Sequence, residues 1–423
     1  MLYWALVLFC FLLPFQFALN PTQGIDLAIV RVIVPLMFLG WLFLILKNKL
    51  NLAVVKNKIT YLLGIFIFLA IFSLSFSHNF SWSLRKLAFL LSLAPIYFIA
   101  VSILRTKYSQ RSIIISLVGG ATLISILGII QFALQFIFGI DAVYSFLAQN
   151  IAPFFLGNSF SKAVLAYPSW LVNSGGTTYM RAFANFPDPH MFSYYIGLLI
   201  PWSIALWATT ASHKKVFFTS SVLLILVDVL TFTRGSYIAL IASVIIILPL
   251  VSKSVAKKLL LGAVFFIFLF IIVPHNPVTG RFMSSFDAQE GSNSARILNW
   301  QQALAIIKNH PLGVGIGMYS LAIDPNADYR EPIYAHNLYL DIAAELGIAA
   351  AIVFVLILFL AGKNFWQAAK IQPFFAAGVA SVTIFSVHSL VEDPLYSVHI
   401  LPLILIMIAL SATLNQYEKI TDN

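Results

Sequence analysis

The sequence predicts an all-α fold: a polytopic membrane protein of about 12 transmembrane helices, with two long external loops that contain short interfacial helices. Three observations support this prediction. Of the 423 residues, 61% are hydrophobic and 9% are charged, whereas soluble domains carry roughly a quarter charged residues. The apolar residues form blocks of about 18 to 25, the length that a helix needs to cross a bilayer. These blocks are continuously apolar, whereas the strands of a membrane barrel alternate.

The candidate spans form a single transmembrane domain over residues 1–423. The N-terminus lacks a basic region and an obvious cleavage site, so we expect the first span to be an uncleaved helix. Residues 139–190 form the first long loop and residues 275–336 the second. The spans lie at residues 2–19, 25–46, 59–77, 82–104, 112–138, 191–211, 216–232, 235–252, 258–274, 337–361, 373–391 and 397–413.

The distribution of lysine and arginine predicts that both termini face the cytoplasm. In that orientation every inner loop is short and basic, as the positive-inside rule requires, and most acidic residues fall outside. The net charge of +10 is explained mainly by this topology, so it does not indicate nucleic-acid binding. The one cysteine, Cys10, lies in the first apolar block and has no intrachain partner.

The second long loop contains an amphipathic pattern over residues 296–308, which predicts a helix lying against the membrane or the helix bundle. Pro311 and three glycines that follow it are expected to end this helix. The apolar residues recur at spacings of three and four, at Ile297, Trp300, Leu304 and Ile307.

His336 is the first candidate for chemistry, because it stands where the second long loop enters a membrane helix. His336 or Asn337 can cap the exposed N–H groups of that helix. Asp341 and Glu345 follow four residues apart, so they share one helix face. Ionisable groups at that depth usually face a bundle interior or a wet cavity. The alternative is that His336 is only a cap and that the two acids pair with other polar groups.

External arginines form the second candidate set, because they run against the positive-inside rule. Guanidinium groups bind phosphate oxygens in a bidentate fork, so a cluster of them suggests a diphosphate ligand that carries a lipid tail. The alternative is pairing with nearby acids, such as Asp188, Asp287 or Glu290. The arginines are Arg181, Arg234, Arg281, Arg296 and Arg330.

The sequence offers no pattern that is typical of a metal site. It contains no Asp-x-Asp, no His-x-x-x-His and no pair of cysteines, so we expect neither a metal nor another cofactor. The acidic pair Glu392-Asp393 is external but precedes Pro394, which is typical of a turn.

Six other residues are expected to be structural. Asp228 and Arg31 lie at similar depths in their helices, which predicts an ion pair between them. His388 and His399 flank the last external loop and are expected to pack. Arg85 and Lys86 begin the fourth helix from outside and are expected to touch lipid headgroups.

Three stretches carry a family resemblance. The first stretch is His336-Asn337, followed after nine residues by Gly347. The last position of the motif that it resembles departs from the family pattern, because it is Ala350 here. Thr233-Arg234-Gly235 looks like a short Ser/Thr-Arg-Gly loop. The third stretch runs from Arg296 and Trp300 to Pro311-Leu312-Gly313 and Gly315-x-Gly317. In this order, over about residues 181–350, the motifs resemble the O-antigen ligase and polymerase superfamily of bacterial membrane glycosyltransferases.

The resemblance implies a reaction at the periplasmic face of the bacterial inner membrane. Such enzymes take a glycan linked to undecaprenyl diphosphate and transfer it to an acceptor hydroxyl. For a ligase the acceptor is a sugar of the lipid A core, and for a polymerase it is the end of another lipid-linked repeat unit. Membrane lipids are the other expected partners, and nucleic acid is not a partner.

The residues can then be given hypothetical roles in a metal-independent, inverting transfer. His336 is the catalytic base, because imidazole accepts a proton near neutral pH. Asn337, Asp341 and Glu345 support it. The arginines stabilise the charge of the leaving diphosphate. Those assigned to diphosphate binding are Arg234, Arg296, Arg181 and, more weakly, Arg281.

Two alternatives to a ligase stay open. A polymerase of the same superfamily shares the chemistry and differs in acceptor. A transporter or flippase also matches twelve helices with both ends inside, but transporters place polar residues near the membrane midplane, often in two related halves. Here the polar residues gather at one face and the halves differ.

Overall fold

The computed structural model describes most of the chain, in eight stretches. Within them the regular secondary structure is helical apart from two short two-stranded sheets. We call the side from which residues 139–188 and 310–337 extend the loop face. The described stretches are residues 1–22, 25–50, 56–166, 169–174, 176–258, 260–262, 291–329 and 333–421.

The first half contains six long or medium helices, three of which begin at a capping side chain. The side chains of Asn57 and Asn79 accept backbone N–H groups at the starts of the third and fourth helices. Pro95 divides the predicted span 82–104 into two helices, since it has no N–H to continue the ladder. The helices are α1 Leu2–Leu12, α2 Val30–Leu46, α3 Lys58–Phe72, α4 Phe80–Leu93, α5 Pro95–Ile103 and α6 Lys107–Phe138.

The remaining helices include three short ones within residues 139–190, the segment predicted to be the first long loop. Those three are α7 Ile140–Phe146, α8 Ala152–Leu156 and α9 Asn158–Ala166. The others are α10 Pro189–Thr209, α11 Lys214–Leu230, α12 Arg234–Ile247, α13 Gly291–Asn309, α14 Tyr319–Ile323, α15 Leu338–Leu346, α16 Ile348–Ile371, α17 Ala376–His388 and α18 Ile400–Thr421.

Membrane character is confirmed, because within the described residues five helical segments are long and apolar enough to cross a bilayer. Six shorter apolar helical segments accompany them. The count of twelve spans stays a prediction, and the predicted span at 258–274 lies mostly outside the described residues. The five long segments are Lys58–Phe76, Phe80–Ile103, Lys107–Phe138, Pro189–Thr209 and Ile348–Ile371.

Two β-hairpins correct the purely helical expectation. The predicted span 2–19 ends early as α1, and Pro14, which cannot donate to a helix ladder, follows that end. Strands β1 Ala18–Thr22 and β2 Ile25–Ala28 then pair antiparallel before α2. Strands β3 Leu171–Ser174 and β4 Thr177–Met180 form the second hairpin, within the first long loop.

Helix α10 forms the centre of the bundle. It packs against α6, α11 and α17, while α12 also packs against α17. Tyr194, Tyr195 and Trp202 on α10 are fully buried. This arrangement brings the loop-face ends of α10, α12 and α17 together, and each of these ends adjoins a segment that the sequence analysis singled out.

The predicted span 337–361 is two helices rather than one. Gly347 divides them with φ of +90°, and a β-carbon there would lie 2.7 Å from the backbone carbonyl of Leu312. The Gly315 N–H donates to the Glu345 carbonyl oxygen at 3.0 Å. The glycine-rich segment 311–317 therefore lies against the end of α15 through backbone contacts that larger residues would block.

The amphipathic helix predicted in the second loop is confirmed as α13. Its side toward the protein is formed by Ala303 and Ile306, which are buried. Ile297 and Leu304, predicted on the apolar face, are 43% and 55% exposed. Ile297 and Leu304 therefore face away from the protein, so the predicted helix is confirmed but its predicted apolar face does not pack as one surface.

Candidate active site

His336 stands in a strained and firmly held backbone position. Its φ is +50°, in the left-handed region that residues other than glycine rarely adopt. On one side, the Ala335 N–H donates to Asp341 Oδ1 at 2.9 Å. On the other, Asn337 caps α15, its Oδ1 accepting the N–H groups of Tyr339 and Leu340 at 3.1 and 3.2 Å. The cap expected at this helix is therefore Asn337, which leaves the imidazole of His336 available.

The side chain of His336 is 45% exposed, and its Nδ1 lies 3.6 Å from Glu392 Oε2. Glu392 belongs to the loop between α17 and α18. The pKa of His336 is raised because the Glu392 carboxylate stabilises the protonated ring, an effect that outweighs burial and the nearby Arg296. The imidazole is therefore a stronger base than a solvent-exposed histidine.

Glu392 is the centre of a charged group that we call the Glu392 cluster: Glu392, Arg296, His190 and His336. Arg296 Nη2 donates to Glu392 Oε1 at 3.0 Å, and His190 Nδ1 lies 3.2 Å from the same oxygen. Burial would raise the pKa of Glu392, but His190, His336 and Arg296 together hold it well below its usual range. The cluster thus holds the Glu392 carboxylate beside Arg296 and His336, the two members that the sequence analysis had assigned to the reaction.

A second ion pair lies on α15, one helical turn beyond Asp341. Lys86 Nζ is 3.1 Å from Glu345 Oε1, and Glu345 Oε2 accepts the Gly317 N–H at 2.9 Å. The ammonium also lies over the ring of Tyr396, 4.1 Å from its centroid. Lys86 therefore points into the protein, which corrects the expectation that it contacts lipid headgroups.

Two further carboxyl groups, those of Asp393 and Asp341, lie near the Glu392 cluster and the Lys86–Glu345 pair. Asp393 follows Glu392, and burial raises its pKa to about 6, against the opposing influence of Lys86. Asp341 Oδ2 is buried and accepts no hydrogen bond from the described residues. The predicted turn is consistent with the structure, since Asp393 Oδ1 accepts the Leu395 N–H at 3.0 Å. Glu392 is nevertheless only 6% exposed and is the shared partner of the other three side chains of the Glu392 cluster, which the turn prediction did not include.

Arg181 is buried and bonded to protein atoms through every guanidinium nitrogen. Its Nε donates to the Thr231 carbonyl at 2.6 Å, Nη1 to the Ser169 carbonyl at 3.0 Å and Nη2 to Thr233 Oγ1 at 3.1 Å. Nη1 also lies 3.3 Å from His190 Nε2. Arg181 thus joins the first long loop to the segment before α12 and to the histidine beside Glu392.

Arg234 is the first residue of α12 and is 7% exposed. Its neighbour Gly235 lies directly against His388, because a β-carbon at Gly235 would be 2.8 Å from His388 Cδ2. Phe232, two residues before Arg234, has a left-handed φ of +52°. The Thr-Arg-Gly motif therefore packs against the end of α17, the helix that leads into the Glu392 loop. Arg281 lies outside the described residues.

Of the remaining structural expectations, the packing of two histidines is confirmed and one ion pair is wrong. His388 stacks on Tyr194 with 4.2 Å between ring centroids, and His399 stacks on another buried ring, so packing is confirmed for both. The ion pair between Arg31 and Asp228 is wrong. Arg31 Nε donates to Ser92 at 3.2 Å, and both carboxylate oxygens of Asp228 lie 2.9 Å from the hydroxyl of a serine on α12.

Residues 219–355 match the family model described as O-antigen ligase. This match supports the resemblance of the chain to the O-antigen ligase and polymerase superfamily. A search of curated proteins gave no match.

The O-antigen ligase match contains most of the residues that the motifs selected, including Arg234, Arg296 and His336. It ends before Glu392 and begins after Lys86 and His190. These three residues were missed as site residues because each lies in an unremarkable local sequence. The available signal for Glu392 was electrostatic: an acid in a short external loop, opposite several external arginines whose charge needs a partner.

Among the described residues, no group of three or more histidine, cysteine, aspartate or glutamate side chains is arranged to hold a metal ion. Instead the site combines an accessible imidazole, a buried carboxylate and cationic groups on separate elements. Such a set can accept a proton from a hydroxyl and stabilise an anionic leaving group.

Proposed function

We propose that this ligase-family chain transfers a glycan from undecaprenyl diphosphate to a hydroxyl of a lipid A core acceptor. The loop face would then be periplasmic and both termini cytoplasmic, in the inner membrane of a bacterium. The observation that best supports the proposal is the position of His336. Its partly exposed imidazole lies beside Glu392, which also binds Arg296.

His336 is the proposed general base. The acceptor oxygen attacks the anomeric carbon of the donor, and its proton passes to the imidazole as the new bond forms. Because Nδ1 faces Glu392, the carboxylate favours the tautomer that carries its proton on Nδ1. Nε2 is then the nitrogen that accepts the proton. One displacement of this kind inverts the anomeric configuration.

The leaving group is undecaprenyl diphosphate, which gains negative charge as the bond to the sugar breaks. We assign Arg296 and Arg234 to the stabilisation of that charge in a site partly shielded from water. Since the nitrogens of Arg181 already contact protein atoms, we assign Arg181 to supporting the loops and His190. Arg281 stays a sequence prediction. The proposed reaction uses no metal and no other cofactor.

A detergent assay with purified chain, a defined lipid-linked donor and separate acceptors tests this proposal. Glycan joined to lipid A core is the expected product. Extension of a second lipid-linked glycan instead would make the chain a polymerase of the same superfamily. Since a micelle has no second compartment, either product rejects a purely transport function. Failure to transfer to either acceptor would reject the enzymatic proposal.

Deletion of the gene in its own cell gives an independent discrimination. Loss of all glycan-capped lipopolysaccharide bands indicates a ligase. Retention of bands that carry a single added repeat indicates a polymerase.

A further inference from the structure

An open cleft of about 690 Å³ lies at the loop-face end of α3. It is separate from the charged site, by which we mean the Glu392 cluster together with the Lys86–Glu345 pair. Its walls come from residues 75–78, the second half of α13, the glycine-rich segment 311–317 and α14. Ligand pockets for small molecules typically measure roughly 300–1,000 Å³. The cleft is therefore large enough for a short oligosaccharide segment.

The lining of this cleft is neutral and amphipathic. Ile306, Val314 and Met318 form a buried apolar floor. Exposed polar side chains stand around the rim, including His78 and His310. The described residues that line the cleft include no arginine, lysine, aspartate or glutamate. This composition is unsuited to a diphosphate and matches a sugar, which presents C–H faces to apolar surfaces and hydroxyls to polar ones.

The cleft is formed by segments that hydrogen bonds hold in place. The Ile316 N–H donates to Ser73 Oγ at 3.1 Å, and Ser83 Oγ donates to the Ile316 carbonyl. Ser77 and Ser83 hydroxyls are 2.7 Å apart. The α3 end, the start of α4 and the glycine-rich segment are thereby joined, so a ligand need not order these walls on binding.

One backbone layer separates the cleft from the charged site. Gly313 and Val314 line the cleft, and the Val314 N–H donates to the Ala344 carbonyl at 2.9 Å. The next residue of α15, Glu345, holds Lys86 on the other side of this layer. The cleft and the Lys86–Glu345 pair therefore lie on opposite sides of the glycine-rich segment, close enough to contact different parts of one extended substrate.

We propose that the cleft binds a neutral saccharide segment of one of the two glycan substrates, while the charged site binds the diphosphate. This inference rests on the proposed transferase function. Both donor and acceptor carry sugars, so the shared ligand chemistry is a neutral oligosaccharide. Kinetic measurements distinguish which substrate supplies it.

Filling the cleft with a single side chain tests the proposal. Ala305 lines the cleft and is exposed, so Ala305→Trp blocks it with little effect on the core. Leu304→Trp is the matched control, since Leu304 is exposed and is not part of the cleft lining. We expect Ala305→Trp to raise the KM of one glycan substrate about tenfold or more, with kcat largely retained. The control should behave like the wild type.

The substrate whose KM rises identifies the source of the saccharide. Unchanged KM values for both donor and acceptor in Ala305→Trp would overturn the proposal. A fall in kcat alone would also overturn it, since it would place the effect at the reacting groups.

Saturation-transfer NMR on the full chain in detergent separates the cleft from the reaction. The probes are the lipid-free oligosaccharides of the acceptor and of the donor. We expect one of them to bind the wild type and His336→Ala, and to lose its signal with Ala305→Trp. Binding without any transfer by the wild type would reject the ligase proposal yet support the cleft. Transfer by the wild type with equal probe signals in Ala305→Trp, or detergent alone in the cleft, would reject the cleft proposal.

Discussion

The imidazole of His336 lies 3.6 Å from the carboxylate of Glu392, although the two residues belong to different loops. The same carboxylate accepts a hydrogen bond from Arg296 at 3.0 Å. Glu392 therefore connects the proposed base to a proposed diphosphate-binding cation. A buried carboxylate needs such cationic partners, and here their positions also set the basicity and orientation of the imidazole.

Replacing His336 with alanine should abolish glycan transfer, because no other described imidazole in the Glu392 cluster is similarly exposed. The protein should still fold and insert, since Asn337 rather than His336 caps α15. The measurement is product formation in detergent, with thermal stability recorded in parallel. His213→Ala removes an exposed histidine at the start of α11 and should keep full activity. Wild-type rates in His336→Ala would remove this residue from the mechanism.

Replacing Glu392 with glutamine should shift the pH dependence of transfer. His336 acts as a base only when neutral, so activity falls as the pH drops through its raised pKa. Without the carboxylate that raises this pKa, the acidic limb should move to lower pH. The rate at the optimum should fall about tenfold or more, because a less basic and less well oriented imidazole is a poorer catalyst.

Rate measurements across pH 4 to 9, an interval chosen to bracket an ordinary histidine pKa of about 6.5, test the Glu392 prediction. In a His336→Ala background, Glu392→Gln should leave any residual pH profile unchanged, since the titrating partner is gone. An acidic limb that stays in place in the single variant would show that Glu392 does not set the basicity of His336.

Two arginine-to-lysine changes should affect different properties, one the activity and the other the stability. Arg296→Lys keeps the charge but loses the planar fork that can hold both Glu392 and a phosphate oxygen. We expect transfer to fall more than tenfold with little change in thermal stability. Arg181→Lys loses several hydrogen bonds inside the loop face, so it should reduce stability by about 1–3 kcal/mol. Its activity per folded molecule should change less than that of Arg296→Lys.

The reverse result would exchange the assigned roles of these arginines. Thermal melting and initial rates in the same detergent preparation provide both readouts. If Arg296→Lys transferred glycan at the wild-type rate, a structural role for Arg296 would follow.

The membrane class, the α13 helix and the position of His336 before a capped helix could all be predicted from the sequence. Each depends on residues that are close together in the chain: apolar runs, spacings of three and four, and a cap residue. The hairpin β1–β2 and the break at Gly347 were missed because apolar content outweighed local turn signals. At Gly347, in particular, only the approach of Leu312 reveals why a glycine is required.

The pairings in the candidate site could not be predicted, because they join distant segments. Glu392 meets Arg296, and Lys86 meets Glu345, only after the bundle has formed. Charge type alone left several partners possible for each. Arg31 and Asp228 show the same limit, since similar depth suggested a pair, whereas each residue has a different partner in the structure.

Treatment with EDTA should leave the transfer rate unchanged. The proposed leaving-group stabilisation relies on the guanidinium groups of Arg234 and Arg296 rather than on a divalent cation. Initial rates with and without chelator, followed by added magnesium, provide the measurement. A loss of activity that magnesium restores would mean that a divalent cation neutralises the diphosphate and would weaken the roles given to Arg234 and Arg296.

Replacing Gly347 with alanine should destabilise the protein, because φ is +90° and the new β-carbon would meet the Leu312 carbonyl at 2.7 Å. A strained residue of this kind costs roughly 1–3 kcal/mol. Gly362→Ala, in the interior of the next helix α16, is the control: a β-carbon there meets only Val382 Cγ1, at an ordinary 3.7 Å. That change should be neutral or slightly stabilising, since alanine favours a helix interior. Equal melting temperatures for both variants would show that the glycine-rich segment does not need its close contact with α15.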